Sequence, residues 1–584
     1  MTLSFPTMPA RSASAASMRP RLLRWIVLAL VLVTLLLLVV QPLGWILFNS
    51  FHDDDTGRWT LGNYRQIFAS AALIQPILNS LLLASAVAVL STLLGVPLAW
   101  LVARTDLPGR GFIRALTLAA FVTPSFIGAL GWILLAAPNS GWLNVGWRAL
   151  TGAQGPLMNI YTMSSTIFVC AIYTVPYTFT MVSSALDEMA VELEDAATTL
   201  GSGVLRTMIT VTVPLVMPAV LVSFILSFIQ GMTLFGVPAF LLTPSGTLVV
   251  TTKLAEFYQL FPPALFLSAA YCLPLVLVTG GLFLARNKIL GRRQFVTVGG
   301  KGRGNRLIRL KNWRLPALAF ALIVPVTAVL LPYVAIVLVS LSKAWGLGPV
   351  PSNLTFHWYR WAITENAETQ RAIVNSLLYA GIAASACVIL GVIVAYVVER
   401  RVLRGAGLLA ALVTIPIVIP GIVLSVGFCS AYARPPLNFY GTGTIVIAAF
   451  VATFLPIAYS QAGSILKGIS PDLERAARSV GASEGRAFTA ITVPLMRGGL
   501  VAGWLLVFIP IMRELSVAIF LVSTKTNVMT TLIYNYKDGG NYEAVCAAST
   551  LLLAATLMIV VLARFVTEGA ARRRRNAASL GEGQ

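Results

Sequence analysis

"ERAARSVGASEGRAFTAITVPL", residues 474–495, is a polar passage in an oily chain, and residues 194–215 repeat it as "EDAATTLGSGVLRTMITVTVPL". At a constant offset of 280, Glu194 pairs with Glu474, Ala196 and Ala197 with Ala476 and Ala477, Gly201 with Gly481, Arg206 with Arg486, and "TVPL" with "TVPL". The duplication reaches further at an offset of 296: "NSLL" 79–82 recurs at 375–378, Gly95 and Arg104 match Gly391 and Arg400, and Pro124 matches Pro420. Extra length in one outer loop accounts for the change of offset, so the chain reads as two homologous halves.

Composition places those halves in a membrane. Hydrophobic residues make up 57% of the 584 and charged residues 11%, with a mean hydropathy of +0.84, whereas about a quarter of a soluble domain is charged. Apolar runs of about 20 residues suffice to span as helices. Twelve such runs lie near 22–48, 77–103, 112–137, 163–185, 212–241, 264–285, 316–342, 373–398, 406–432, 443–464, 495–522 and 544–563. The expected fold is all-α and polytopic, about 12 transmembrane helices in two six-helix halves. Its divisions are a basic cytosolic N-terminus (1–21), a first six-helix half (22–285), a basic cytosolic linker (286–315), a second half (316–565) and a basic cytosolic tail (566–584).

Orientation follows from Lys and Arg, which collect on the cytoplasmic side. With both termini inside, 31 of the 42 basic residues are cytosolic, 10 lie in outer loops, and Arg513 falls within a span. The opposite topology would export the linker's ten basic residues and the "RRRR" of Arg572–Arg575. The first span, after Arg19, Arg21 and Arg24, is expected to be an uncleaved anchor. The net charge of +21 is explained by this topology and by anionic membrane lipid, and no nucleic-acid partner is expected. Cys170, Cys272, Cys387, Cys429 and Cys546 are scattered singly and His52 and His357 read as solvated loop residues, so no metal site, disulfide framework or cofactor is expected. No G-x-x-x-x-G-K-[ST] phosphate loop occurs, and "GGKGRG" at 299–304 lacks the Ser or Thr and the preceding strand. A catalytic cluster is equally missing, so the chain is not read as an enzyme.

The repeated passage lies between the fourth and fifth spans of each half, on the cytosolic side. Leu193, Ala196, Ala197 and Leu200, and likewise Leu473, Ala476, Ala477 and Val480, fall at i, i+3, i+4, i+7, the pattern of a helix with one narrow apolar face. Ser470 fits an N-cap, Pro471 the first helical position, and Asp472 and Glu474 the end of the helix that favours acids. Gly201 and Gly481 follow the last apolar position, where a left-handed C-cap suits glycine. Either this face packs on the protein's own helix ends or, duplicated as it is, it serves a two-fold partner.

On these residues the chain resembles the membrane subunit of type I ATP-binding-cassette importers, marked by the EAA loop: Glu-Ala-Ala, three residues, Gly, nine residues, Ile-x-Leu-Pro. Asp195, Ala196, Ala197, Gly201, Val211, Val213 and Pro214 fit that spacing, as do Ala476, Ala477, Gly481, Ile491, Val493 and Pro494. Asp195 and Arg475 stand where the motif has Glu, but a glutamate one place earlier, Glu194 and Glu474, is kept in both halves. The resemblance implies coupling helices that carry Glu194, Asp195, Ala196, Ala197 and Gly201, and Glu474, Ala476, Ala477 and Gly481. It implies a bacterial inner-membrane location and, as partners, two copies of a cytosolic ABC ATPase and an extracytoplasmic solute-binding protein. "IPIMRELSVAIFL" and "MTLFGVPAFL" further resemble segments of the ferric-iron permeases of this family, which makes ferric iron the leading cargo, with thiamine, a polyamine or a phosphonate as alternatives. A twelve-helix secondary transporter would also explain the duplication, but not the paired EAA spacing. Arg513 and Glu514, ionisable groups at membrane depth, are candidate gate residues. Placed on a helix they would point about 100° apart, Arg513 held by carbonyls or polar side chains and Glu514 facing the pathway.

Overall fold

The structure is a computed structural model that describes residues 25–53, 56–190, 192–292, 307–403, 405–433, 437–559 and 561. The basic N-terminus, residues 293–306 of the linker with their glycines, and the basic tail lie outside the described residues. Half 1 comprises α1 (Trp25–Ser50), α2 (Ala71–Arg104), α3 (Arg110–Phe121), α4 (Ser125–Ala136), α5 (Met163–Glu188), α6 (Glu192–Thr199), α7 (Met208–Thr233), α8 (Val250–Gln259) and α9 (Leu265–Ile289). Half 2 repeats the order as α10 (Lys311–Ser340), α11 (Ala367–Glu399), α12 (Ala406–Val418), α13 (Gly421–Tyr432), α14 (Gly443–Lys467), α15 (Pro471–Ser479), α16 (Glu484–Met512), α17 (Met529–Asp538) and α18 (Tyr542–Ile559). Among the described residues, ten helices are long and apolar enough to cross a membrane. Among the described residues the only β pairings are isolated bridges.

Two expected spans are broken. Segment 112–137 forms α3 and α4, bent by 102°, and segment 406–432 forms α12 and α13, bent by 113°. Pro124 and Pro420 account for both breaks, since a residue before proline is pushed out of the helical region: Thr123 has ψ 128° and Ile419 ψ 124°. Two further spans end sooner than their hydropathy indicates. α7 stops at Thr233, where Pro238 cannot bond back to the carbonyl of Leu234. α16 stops at Met512, and Arg513 (φ −104°, ψ 3°) lies at its tightened end. The 100° helical separation of Arg513 and Glu514 therefore does not apply.

Repeated residues do repeated work. Ser80 and Ser376 each accept a hydrogen bond at 2.8 Å from the first backbone amide of α8 or α17, those of Val250 and Met529. Beside them Asn79 and Asn375 donate to the carbonyls of Leu248 (2.8 Å) and Asn527 (2.9 Å). Gly95 and Gly391 allow close helix crossings: a Cβ added there would lie 2.8 Å from Thr178 and 2.9 Å from the Ala458 backbone.

Each first span packs on the opposite half. α1 and α10 carry π-turns at Leu36–Val40 and Val326–Leu330, just before Pro42 and Pro332. A proline has no N–H, so the carbonyl five residues back loses its donor in a π register, and in a membrane that group needs a partner. The partners come from across the pseudo-two-fold: Tyr432 donates to the Leu37 carbonyl (2.5 Å) and the Trp132 indole to that of Thr327 (3.1 Å). Glycine makes the approach close enough, since a Cβ at Gly131 or Gly427 would come within 2.6 Å of Pro332 or 3.0 Å of Pro42.

All five cysteines are buried, and none forms a disulfide. His357 is exposed, but His52 is not solvated as expected: it is buried, stacks on Phe48 at 4.0 Å and has Nδ1 2.7 Å from the Phe48 carbonyl. The nearby Trp59 ring (4.2 Å) closes over it.

Candidate functional site: two bare helices on buried polar joints

α6 and α15 form where the repeated passages place them. Ser470 caps α15 by accepting from the Asp472 amide at 3.2 Å, with Pro471 in the first turn. Both helices end identically. Gly201 (φ 84°) and Gly481 (φ 95°) are left-handed; their amides bond to the carbonyls of Thr198 (3.0 Å) and Arg478 (3.1 Å), and the next amides, of Ser202 and Ala482, bond to Ala197 and Ala477, each at 3.0 Å. This paired closure is a Schellman motif, and glycine holds it without Cβ strain.

The apolar face of each helix points away from the protein. Leu193, Ala196, Leu473 and Ala476 are exposed, Ala197 and Ala477 half-buried, and Leu200 and Val480 are 88% and 85% exposed. Packing against the chain's own helix ends, one of the two expectations for this face, is not what the structure contains.

The glutamates turn inward. Glu194 accepts a 2.6 Å hydrogen bond from the Thr212 hydroxyl and lies 3.8 Å from Arg104 Nε. Glu474 accepts one of 2.6 Å from Thr492 and lies 3.4 Å from Arg400 Nε, with a further bond from the Tyr396 hydroxyl at 2.9 Å. Each arginine also donates to carbonyls at or just past the end of the helix that precedes α6 or α15: Arg104 to Leu186 (2.7 Å) and Met189 (3.2 Å), Arg400 to Ile469 (3.0 Å). Both pairs are nearly sealed from solvent, with side-chain exposures of 6% and 12% in half 1 and 12% and 10% in half 2. Arg104, Arg400, Thr212 and Thr492 were visible in the sequence only as repeated letters; Tyr396, facing Trp100 by the same alignment, carries no such signal. Asp195 is partly exposed, and Arg475 points outward, 2.8 Å from Asp472.

Arg513 and Glu514 lie between the two helix breaks. Arg513 reaches into half 1, where it donates to the carbonyl of Phe121 and, at 3.5 Å, to that of Thr123, with its guanidinium 5.7 Å from the Phe121 ring centre. Glu514 stays in half 2: its carboxylate accepts from the Val517 amide at 3.2 Å and sits against Gly421, where an added Cβ would be 3.4 Å away. Around Arg513, Tyr333 and Thr123 share a 2.7 Å hydroxyl bond and Gln230 donates to Tyr177. Among the described residues no cluster of three or more His, Cys, Asp or Glu side chains is placed to hold a metal ion.

A duplicated, interlocked bundle of spanning helices with a matching bare helix in each half defines a multi-pass membrane permease of two fused units. The chain belongs to the family described as binding-protein-dependent transport system inner membrane component, whose model matches residues 95–289 and again 388–576. It is 26% identical to the ferric transport system permease protein FbpB of Actinobacillus pleuropneumoniae over 90% of this chain and 76% of that one. It is 21% identical to the Fe(3+)-transport system permease protein FbpB 2 of Haemophilus influenzae, over 80% and 85% of the two chains. A solved bacterial ABC transporter involved in the import of the acidic polysaccharide alginate aligns with 44% of this chain and 94% of that chain, at 17% identity and a TM-score of 0.36.

Proposed function

We propose that this permease imports ferric iron, delivered by an extracytoplasmic binding protein and driven by two copies of a separate cytosolic ATPase seated on α6 and α15. The observation that carries the docking is the pair of apolar helix faces left bare at equivalent places, each ended by a left-handed glycine. Ferric iron rests on the likeness to ferric permeases over most of the chain. Both termini, the linker and the docking helices lie on the cytosolic side, in keeping with the basic residues, and the divisions at 22–285 and 316–565 are taken as the two permease units.

The direct test is assembly and transport. Purified alone, the chain should hydrolyse no ATP; with its partner it should recover two ATPase subunits per chain and, in vesicles loaded with ATP, take up radiolabelled iron from its binding protein. One ATPase per chain, or hydrolysis by the isolated permease, counts against the assignment, and uptake of thiamine, a polyamine or a phosphonate instead of iron corrects the cargo.

Arg513 and Glu514 we take as gate residues. Adjacent in sequence, they touch opposite breaks, Arg513 that of half 1 and Glu514 that of half 2, so separation of the halves has to part the Arg513 contacts. Glu514→Gln should impair uptake more than ATPase docking, and a cysteine at 514 should change its reactivity with hydrophilic thiol reagents when ATP binds. Normal transport by the Gln variant, with an unreactive cysteine in every nucleotide state, makes the pair structural.

A further inference from the structure

The inward side of the docking helices carries contacts that a docking role leaves unexplained. We propose that Arg104–Glu194–Thr212 and Arg400–Glu474–Thr492 are transmission joints: positioning residues that lock each docking helix to the ends of the spanning helices, so that a displacement imposed by the ATPase moves them as one body. The proposal rests on the ATP-driven importer reading and adds to it the route by which movement enters the membrane.

Attachment by packing is minimal. No described residue of α6 is buried, and in α15 the buried residue is Glu474 itself. Such a helix would roll on the bundle under an external load if apolar contact alone held it. Each joint instead gathers parts from separate elements: an arginine at the end of α2 or α11, a glutamate in the first turn of α6 or α15, and a threonine in the bulged start of α7 or α16. The same guanidinium holds the chain leaving α5 or α14 through its carbonyls, where the negative end of a helix favours a cation. Charge-assisted bonds are directional and, away from water, weakly screened. The threonine–carboxylate bonds and the arginine–carbonyl bonds therefore fix the helix in rotation as well as in position, with each guanidinium held beside its carboxylate as an ion pair and not hydrogen-bonded to it through Nε. The threonines sit inside the π-turns Met208–Thr212 and Phe488–Thr492, so the joint reaches α7 and α16 where their ladders are already irregular.

The test uses the full chain co-purified with its ATPase, spin-labelled at Leu150→Cys and Asn438→Cys, exposed positions in the outer loops of the two halves; the five native cysteines are buried. Distances are read by pulsed electron resonance with and without ATP, using a hydrolysis-blocked ATPase. The parent should shift its distance distribution on ATP binding. Thr212→Val with Thr492→Val removes both hydroxyl donors at nearly constant shape; it should keep two ATPases bound yet lose at least half of the shift, and Thr212→Ser with Thr492→Ser should restore it. A Val pair that shifts like the parent overturns the joint. So does a Val pair that sheds its ATPases, since the threonines then only shape the docking surface. A parent that does not shift at all removes the importer reading and the joint with it.

Discussion

Beneath α15 the joint is tighter than beneath α6. Arg400 approaches Glu474 to 3.4 Å and Tyr396 adds a 2.9 Å bond, whereas Arg104 stands 3.8 Å from Glu194 and Trp100 occupies the place corresponding to Tyr396. Half 1 has a different support. The chain leaving the linker pairs with the end of α2: the Ile308 amide bonds to the Arg104 carbonyl (2.9 Å), and Asp106 accepts from the Leu310 amide (2.8 Å) and Arg314 (3.1 Å). Those contacts hold the Asp106 carboxyl below its usual range, the Leu310 amide first and the Arg314 charge after it. On the outward side, Asp195 in one helix stands opposite Arg475 in the other, while the inward glutamate, threonine and arginine are the same in both. Identity is thus kept where a buried charge must find its partner, and divergence falls where water or another protein meets the helix.

The largest effect should come from the feature the two loops share completely. No atom lies within 4 Å of a Cβ built on Gly201 or Gly481, so replacement there is opposed by the positive φ and not by a clash. A left-handed L residue costs about 1–2 kcal/mol, more when β-branched. Gly201→Val with Gly481→Val should leave membrane insertion intact while reducing ATPase co-purification and iron uptake; Asn at both positions, which tolerates this conformation, should retain most of both. Wild-type uptake by the Val pair would remove the docking assignment.

Next in size is a direct contrast of the halves. Glu474→Gln leaves the largely buried Arg400 without its carboxylate, a loss of about 3 kcal/mol where a buried pair is broken, and Glu194→Gln should cost less because its ion pair is longer. Thermal melting in detergent should therefore fall further for the half-2 variant, and equal falls would erase the asymmetry. Tyr396→Phe removes one hydrogen bond to a charged acceptor, worth about 1.5–3 kcal/mol. It should bring the melting temperature of the Glu474 joint toward that of its half-1 counterpart. Least consequential is Arg475→Glu, which restores the motif's residue. The Arg475–Asp472 pair is about three-quarters exposed, and such pairs contribute about 0–1 kcal/mol. Uptake within twofold of the parent is expected, and a larger change would mean that the ATPase reads this charge.

Much of this was legible in the letters. Hydropathy gave the all-helical membrane fold, and the two offsets gave the duplication. Helical spacing with the terminal glycines gave α6 and α15 because capping is a local matter of φ and ψ. Pro124 and Pro420 were visible as a repeated pair, yet hydropathy sums apolarity over a window and does not register a bend, so two spans were drawn straight. α16 was likewise drawn through Arg513, although the chain leaves the helix at Met512. His52 read as solvated because its aromatic cover arrives from Phe48 and Trp59 on either side of a turn.

By itself, then, the sequence determined that this is a twofold permease with a short, glycine-ended cytosolic-loop helix in each half, since period, repeat and cap are properties of neighbouring residues. Only the tertiary structure decided which face of that helix is free. The Glu194 and Glu474 side chains turn toward Arg104 and Arg400, 90 and 74 positions earlier in the chain, because a carboxylate near a membrane boundary is stabilised by a guanidinium and a hydroxyl that no local pattern brings to it. Once the glutamate points inward, the leucine and alanine stripe is left facing out.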